Sequence, residues 1–187
     1  MYNDTSLKQY LNDLAAKLPA PGGGSAAALT AALGVSLISM VLNFTIGKPK
    51  YAQYENELKE IFSQSEKLRE QFLNLVDLDV VAYKSKNIRD ALDVPFMVCR
   101  LCFEGIELCP PLIKKGNPNL ISDVAVAAIL LESAFASAYF NVEINLKSLK
   151  EDKKFASQVR EELKQKAKTI KRIRLRMEDK VGKIIRG

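Results

Sequence analysis

The chain has 187 residues, 48% apolar and 27% charged, the balance of one ordinary globular domain spanning residues 1–187. It contains no His and no Trp, which excludes Ser-His-Asp and Cys-His nucleophile systems and His-ligated metals within one chain, and leaves acid–base work to Asp, Glu, Lys, Tyr or Cys. The net charge of +6 is uneven: residues 147–187 hold 15 basic and 6 acidic side chains, and the preceding 146 residues are net negative.

The pattern is helical from end to end. A first helix starts at a cap signal, Asp4/Thr5, and carries Leu7, Tyr10, Leu11 and Leu14 on one face. Pro19, Pro21 and three glycines then break the chain. Ser25 is expected to cap a second helix that runs to about Ile46, where Gly47 and Pro49 stop it. A charged amphipathic stretch follows over residues 51–92, with Leu58, Ile61, Phe62, Leu68, Phe72, Leu75 and Val76 at helical spacing. Residues 93–95 are expected to interrupt it. The next helix covers 95–108 and ends at Pro110 and Pro111. Residues 114–119 read as a loop, after which Asn119 or Ser122 caps a long apolar helix to about Leu149. A basic amphipathic helix occupies 155–185. No stretch alternates as a strand and no repeat stands out. The fold class is therefore all-α, a bundle of about six helices with two long, nearly uncharged core helices.

Those two helices set a packing problem. No charge occurs between Lys17 and Lys48, and "SDVAVAAILLESAFASAYFNVEINL" (residues 122–146) is nearly as apolar. A helix apolar all round must be buried on every side, and six helices hide one such element more readily than two. Pairing into a dimer is the simplest remedy. A membrane span is the rival, and the run of Ala, Ser, Gly and Thr fits close helix packing as well as lipid. Each helix also carries a polar thread: Ser36, Ser39 and Asn43 in the first, Ser133, Ser137, Asn141 and Asn145 in the second. Buried amides need hydrogen-bond partners. These residues either bond helix to helix or line a pocket for a heterocycle with donors and acceptors.

Three further features can carry chemistry. Gly22, Gly23, Gly24 and Ser25 leave a helix N-terminus bare, so its amides and partial positive charge can meet an anion, although tight helix packing uses glycines in the same way. "TIGKPKY" at the other end of that helix supplies Lys48 and Lys50. In "LVDLDVVAY", Asp77 and Asp79 project to different faces, while Asp79 and Tyr83 share one. A partly buried carboxylate with a raised pKa serves as acid or base, whereas one bonded to Tyr is structural. Asp123 stands in the first turn of an apolar helix, where it also suits the helix dipole. Cys99, Cys102 and Cys109 share a helical face and read as buried packing rather than a zinc or redox site. Their odd number, with no signal-peptide pattern, points to the cytoplasm. The basic C-terminal segment reads as a solvated helix face; its alternative use, tested at Arg172, Arg174 and Arg176, is an interaction module that binds nucleic acid or a partner.

Taken in order, "PAPGGGSAAALTAALG", "TIGKPKY", "DLDVVAY", "GNPNLISDVAVAA" and "NVEINL" resemble the formiminotetrahydrofolate cyclodeaminase / methenyltetrahydrofolate cyclohydrolase family. The resemblance covers about residues 7–149. It implies an all-α dimer with a folate site between subunits, acting in one-carbon metabolism as a cyclohydrolase or a cyclodeaminase, without metal or cofactor and with a tetrahydrofolate derivative as substrate. It implies Asp79, Asp123 and Tyr83 as catalytic candidates. Ser137, Asn141 and Asn145 become candidates for the pterin, with Asn43 and Asn117 beside them. Lys48, Lys50 and the amides of Gly22, Gly23, Gly24 and Ser25 become candidates for the anionic, possibly extended, glutamate tail, that is, a polyglutamylated folate. Nucleic acid and membrane are then not expected as partners. Two stretches depart from the family pattern: "LDVVAY" lacks a small residue after the Asp, and "DALDVPFM" changes the run at Val94 to Met97, which is expected to reshape the pocket edge.

Overall fold

An uncharged helix has to be wrapped, and the chain wraps it. The computed structural model describes residues 1–149 and 153–187. Its α-helices are α1 (Leu7–Ala15), α2 (Gly23–Asn43), α3 (Glu55–Ser85), α4 (Ile88–Glu107), α5 (Cys109–Lys115), α6 (Ile121–Ser148) and α7 (Lys153–Arg186), with no strand among the described residues. α5 is a short continuation of α4, so the architecture is the expected bundle of six main helices. α2 lies between α3 and α6, and Ala28, Ala31, Val35, Ile38 and Leu42 lose all contact with water. α2 and α6 run antiparallel: Gly23 faces Asn141, Gly34 faces Leu131, and the end of α2 meets Asn117. A Cβ on Gly34 would come within 3.0 Å of Leu131, so a small residue is what allows this approach.

Local chemistry moved several boundaries. Ser6, not Asp4 or Thr5, caps α1 by accepting the Gln9 amide. Gly22 holds the N-cap position of α2, and Ser25 lies inside the first turn, correcting the expected cap. The chain does not break at 93–95. It breaks at Lys86, which adopts φ +56° as a left-handed helix end, and Asn87 then caps α4 by accepting the Arg89 amide. Pro95 sits within α4. Pro110 and Pro111 open α5 instead of merely ending α4, because first-turn amides have no intrahelical acceptor to lose. Neither Asn119 nor Ser122 caps α6; Asn117 accepts the Asn119 amide and closes the 3-10 turn Pro118–Leu120 ahead of it.

The outer helix α7 buries Leu163, Ile170, Met177 and Val181 and points most of its cations outward. Ion pairs Arg100–Glu162 and Arg160–Glu143 tie it to α4 and α6. All three cysteines are buried free thiols, and burial pushes the Cys109 thiol up to about 12, far from the reactive range. Helices α2 and α6 meet the length and hydropathy demands of a membrane span, yet most of the apolar window of α2 is packed inside the bundle. Their remaining faces stay uncovered. Leu33, Phe44, Val126, Ile129, Ile144 and, at 78% exposure, Phe140 face solvent.

Candidate active site

A cleft of about 290 Å³ opens at the N-terminus of α2. Four helices and a loop build it: Pro19, Ala20 and the three glycines from the loop and α2, Asp79 and Tyr83 from α3, Ala91 and Pro95 from α4, and Asn141, Ile144 and Asn145 from α6.

Asp79 is the chemical centre. Its Oδ2 accepts the Ser25 amide at 2.9 Å, an anion on a bare helix N-terminus as the sequence leads one to expect, though the anion is the protein's own. Its Oδ1 occupies the place of a missing side chain: a Cβ built on Gly24 would lie 2.1 Å away. Gly24 is thus required by the carboxylate. Burial raises the Asp79 pKa, and the Ser25 amide partly offsets that rise. Ser25 itself is fully buried. Its hydroxyl donates to Val76 O at 3.0 Å and lies 3.1 Å from the Tyr10 hydroxyl, which must therefore be the donor of that second bond. Burial holds the Tyr10 phenol above its usual range, so it keeps the proton it donates. Ser25 therefore clamps α2 to α1 and α3 and offers no free group to a ligand. Asp77 does project to the other face, where it accepts the Tyr2 and Asn3 amides at 2.6 and 3.3 Å.

The opposite wall is amide. Asn141 stands against Gly23, where a Cβ would lie 3.5 Å from the carboxamide, and donates Nδ2 to Ser137 O at 3.0 Å. Asn145 donates Nδ2 to Ala91 O at 2.6 Å. Of the altered run Val94 to Met97, Pro95 is the residue that lines the cleft. Tyr83 is exposed at the mouth.

The cleft thus gathers Gly22, Gly23, Gly24, Asp79, Tyr83, Asn141 and Asn145 from the sequence candidates. It does not gather the others. Ser137 is an exposed residue one turn before Asn141, with its hydroxyl on Ser133 O. Asn43, Lys48, Lys50 and Asn117 lie at the far end of α2, which at 21 residues spans about 30 Å. Asp123, in the first turn of α6, is about 27 Å from Asn141 along that helix. Of the cleft residues, Pro19, Ala20, Ala91 and Ile144 were not sequence candidates, and Pro95 entered only within the run expected to reshape the pocket edge; a proline inside a helical pattern was the signal available for Ala91, four residues before it. A second groove, about 360 Å³ between α6 and α7, is lined by Phe135, Tyr139 and Phe140, and its acids Glu132 and Glu143 face Arg174 and Arg160.

A family model described as formiminotransferase-cyclodeaminase matches residues 6–87 and 84–165. The chain belongs to this family. It is 37% identical over 186 residues to a methenyltetrahydrofolate cyclohydrolase of Methylorubrum extorquens, covering 87% of this chain and 89% of that one. It is 31% identical over 172 residues to the formimidoyltransferase-cyclodeaminase of Mus musculus, covering 80% of this chain and 32% of that longer protein. The fold matches the crystal structure of a formiminotetrahydrofolate cyclodeaminase from Thermotoga maritima with a TM-score of 0.92 at 28% identity, over 99% of this chain and all of the other.

Proposed function

We propose that this protein is a cytoplasmic folate one-carbon enzyme that hydrolyses 5,10-methenyltetrahydrofolate to 10-formyltetrahydrofolate. The second reading, release of ammonia from 5-formiminotetrahydrofolate, is favoured by the full-length structural match to a cyclodeaminase. The first is favoured by the higher identity, over nearly the whole of both chains, to a cyclohydrolase. The observation that carries the folate reading is a partly desolvated carboxylate, Asp79, opposite a wall of two carboxamides in one cleft.

That arrangement suits an amidinium substrate. Ionised Asp79 faces the methenyl cation and steadies it. Water adds to the methenyl carbon and passes one proton to Asp79. The carboxyl returns this proton to N5 as the N5–carbon bond breaks. The second proton of the water leaves to solvent as the formyl carbonyl forms. A raised pKa keeps Asp79 basic enough to exchange protons in this way. Asn141 and Asn145 hold the pterin, Tyr83 closes the mouth, and the reaction calls on neither metal nor cofactor.

A homodimer completes the site in this proposal. The cleft is at the low end of the roughly 300–1,000 Å³ of small-molecule sites, room for a pterin ring rather than a whole folate. The uncovered apolar side chains of α2 and α6 form a face that a second copy can cover through an isologous contact. Antiparallel pairing across it would carry Lys48 and Lys50 of each subunit towards the other's cleft, where they meet a mono- or polyglutamate tail. The test is direct. Purified protein added to methenyltetrahydrofolate should speed the loss of its near-UV absorbance well beyond buffer, while sedimentation reports a dimer. No rate above buffer, and no reverse reaction with ammonia, rejects the enzyme reading.

A further inference from the structure

Pro95 stands inside α4, where proline is ordinarily excluded. Its ring nitrogen has no hydrogen to give to the carbonyl four residues back, Ala91 O. Asn145 of α6 takes that carbonyl instead, Nδ2 to O at 2.6 Å. A carbonyl only accepts, so this carboxamide has one orientation: the nitrogen points to α4 and Oδ1 is left for other partners. Asn141, one turn earlier, is oriented in the same way by Ser137 O. Both residues line the cleft with Asp79, Ala91 and Pro95.

The geometry points to Pro95 as a positioning residue: by withholding a hydrogen from Ala91 O it pins Asn145 across the helix interface, so that Asn141 and Asn145 together present two carboxamide oxygens to a ligand edge bearing two N–H groups. This rests on the folate reading of the cleft and deepens it. The 2-amino and N3–H edge of a reduced pterin is such an edge, and a ring presenting acceptors there is refused. Pro95 touches no reacting atom and acts through Asn145.

Pro95→Ala restores an amide that competes with Asn145 for Ala91 O. Losing one fixed acceptor should raise KM for methenyltetrahydrofolate about three- to tenfold, with kcat within about twofold. The melting temperature should hold or rise, because an interior proline weakens a helix. In an Asn145→Ala background, Pro95→Ala should add nothing to KM. The Asn145 side-chain amide resonance should shift in Pro95→Ala, a readout that needs no turnover. Equal KM effects in both backgrounds, an unmoved Asn145 resonance, or a lower melting temperature with unchanged KM would each make Pro95 a packing residue and overturn the proposal. Unchanged KM in Asn145→Ala overturns the ligand role of Asn145, and with it the proposal, without touching the enzyme reading, which fails only if the wild type does not turn over.

Discussion

At its N-terminal end α2 meets a carboxylate, two carboxamides and open space; at its C-terminal end it meets Thr45 and Asn117. The far end is rich in polar groups, but they close on one another. Thr45 donates to Val41 O and accepts the Asn117 amide at 3.1 Å, and Asn117 accepts the Asn119 amide. Lys48 and Lys50 lie over the rings of Phe44 and Tyr51. At the near end, the internal bonds of Asp79 and Asn145 orient the groups without using all of them, since each side chain keeps an oxygen, Oδ1, outside those bonds. Polar residues at a helix end become a site where their bonds to the protein leave an atom facing a cavity, and a lock where they do not.

The sharpest way to break this contrast is Asp79→Asn. Turnover should fall about 10²- to 10⁴-fold if the carboxylate shuttles the proton. The wild-type rate should fall as pH drops through a pKa above the ordinary aspartate range, and the variant should lose that acid limb. Stability should move the other way. A carboxylate whose pKa is raised by folding stabilises the fold when protonated, and that contribution is lost as pH climbs through the folded value. At neutral pH the variant should therefore melt higher, by about 2–4 °C for ~1 kcal/mol. Loss of both activity and stability would make Asp79 structural.

Glycines at the two ends give the next comparison. Gly24→Ala puts a Cβ where Asp79 Oδ1 stands. The atom in the way is the tip of a side chain, so the carboxylate moves and the fold remains. Turnover should drop about 10- to 100-fold, with circular dichroism unchanged. Gly47→Ala, at φ +78° with open space around it, should cost about 1 kcal/mol of stability and leave turnover alone.

The helices and the two long, nearly uncharged ones among them were legible because 3.6-residue periodicity and scarcity of charge act locally along the chain. The face shared by Asp79 and Tyr83 was legible for the same reason. What the sequence hid was where each candidate's hydrogen bonds go. Ser25 looks like a cap and is a buried clamp, because Tyr10 and Val76, distant in sequence, claim its hydroxyl. Pro95 looks like a break and is a helix-interior residue, because Asn145 satisfies the carbonyl it leaves open. Asp123 shares α6 with Asn141 and Asn145, and Lys48 follows the end of α2, yet helix length carries both to the opposite end.

A smaller effect tests whether that opposite end belongs to a site after all. Replacing Lys48 and Lys50 together by Ala removes cations about 30 Å from the cleft of their own chain. In the proposed antiparallel dimer they lie near the partner's cleft, so KM for a polyglutamylated folate should rise severalfold, most at low salt, with the monoglutamate KM raised less and kcat little changed. Identical kinetics for both substrates would leave the two lysines as solvated surface and return the glutamate tail to the glycine amides.

Thr45→Val tests the lock itself. The hydroxyl is wholly buried, and removing it strands the Asn117 amide that it accepts. A buried donor left without a partner costs about 1–3 kcal/mol, which lowers the melting temperature by several degrees in a domain of this size. Because every bond in this cluster is internal, kcat and KM for the monoglutamate should stay at wild-type values. A raised KM with an unchanged melting temperature would mean that the C-terminal end of α2 contacts ligand directly, and the contrast between an open end and a closed one would not hold.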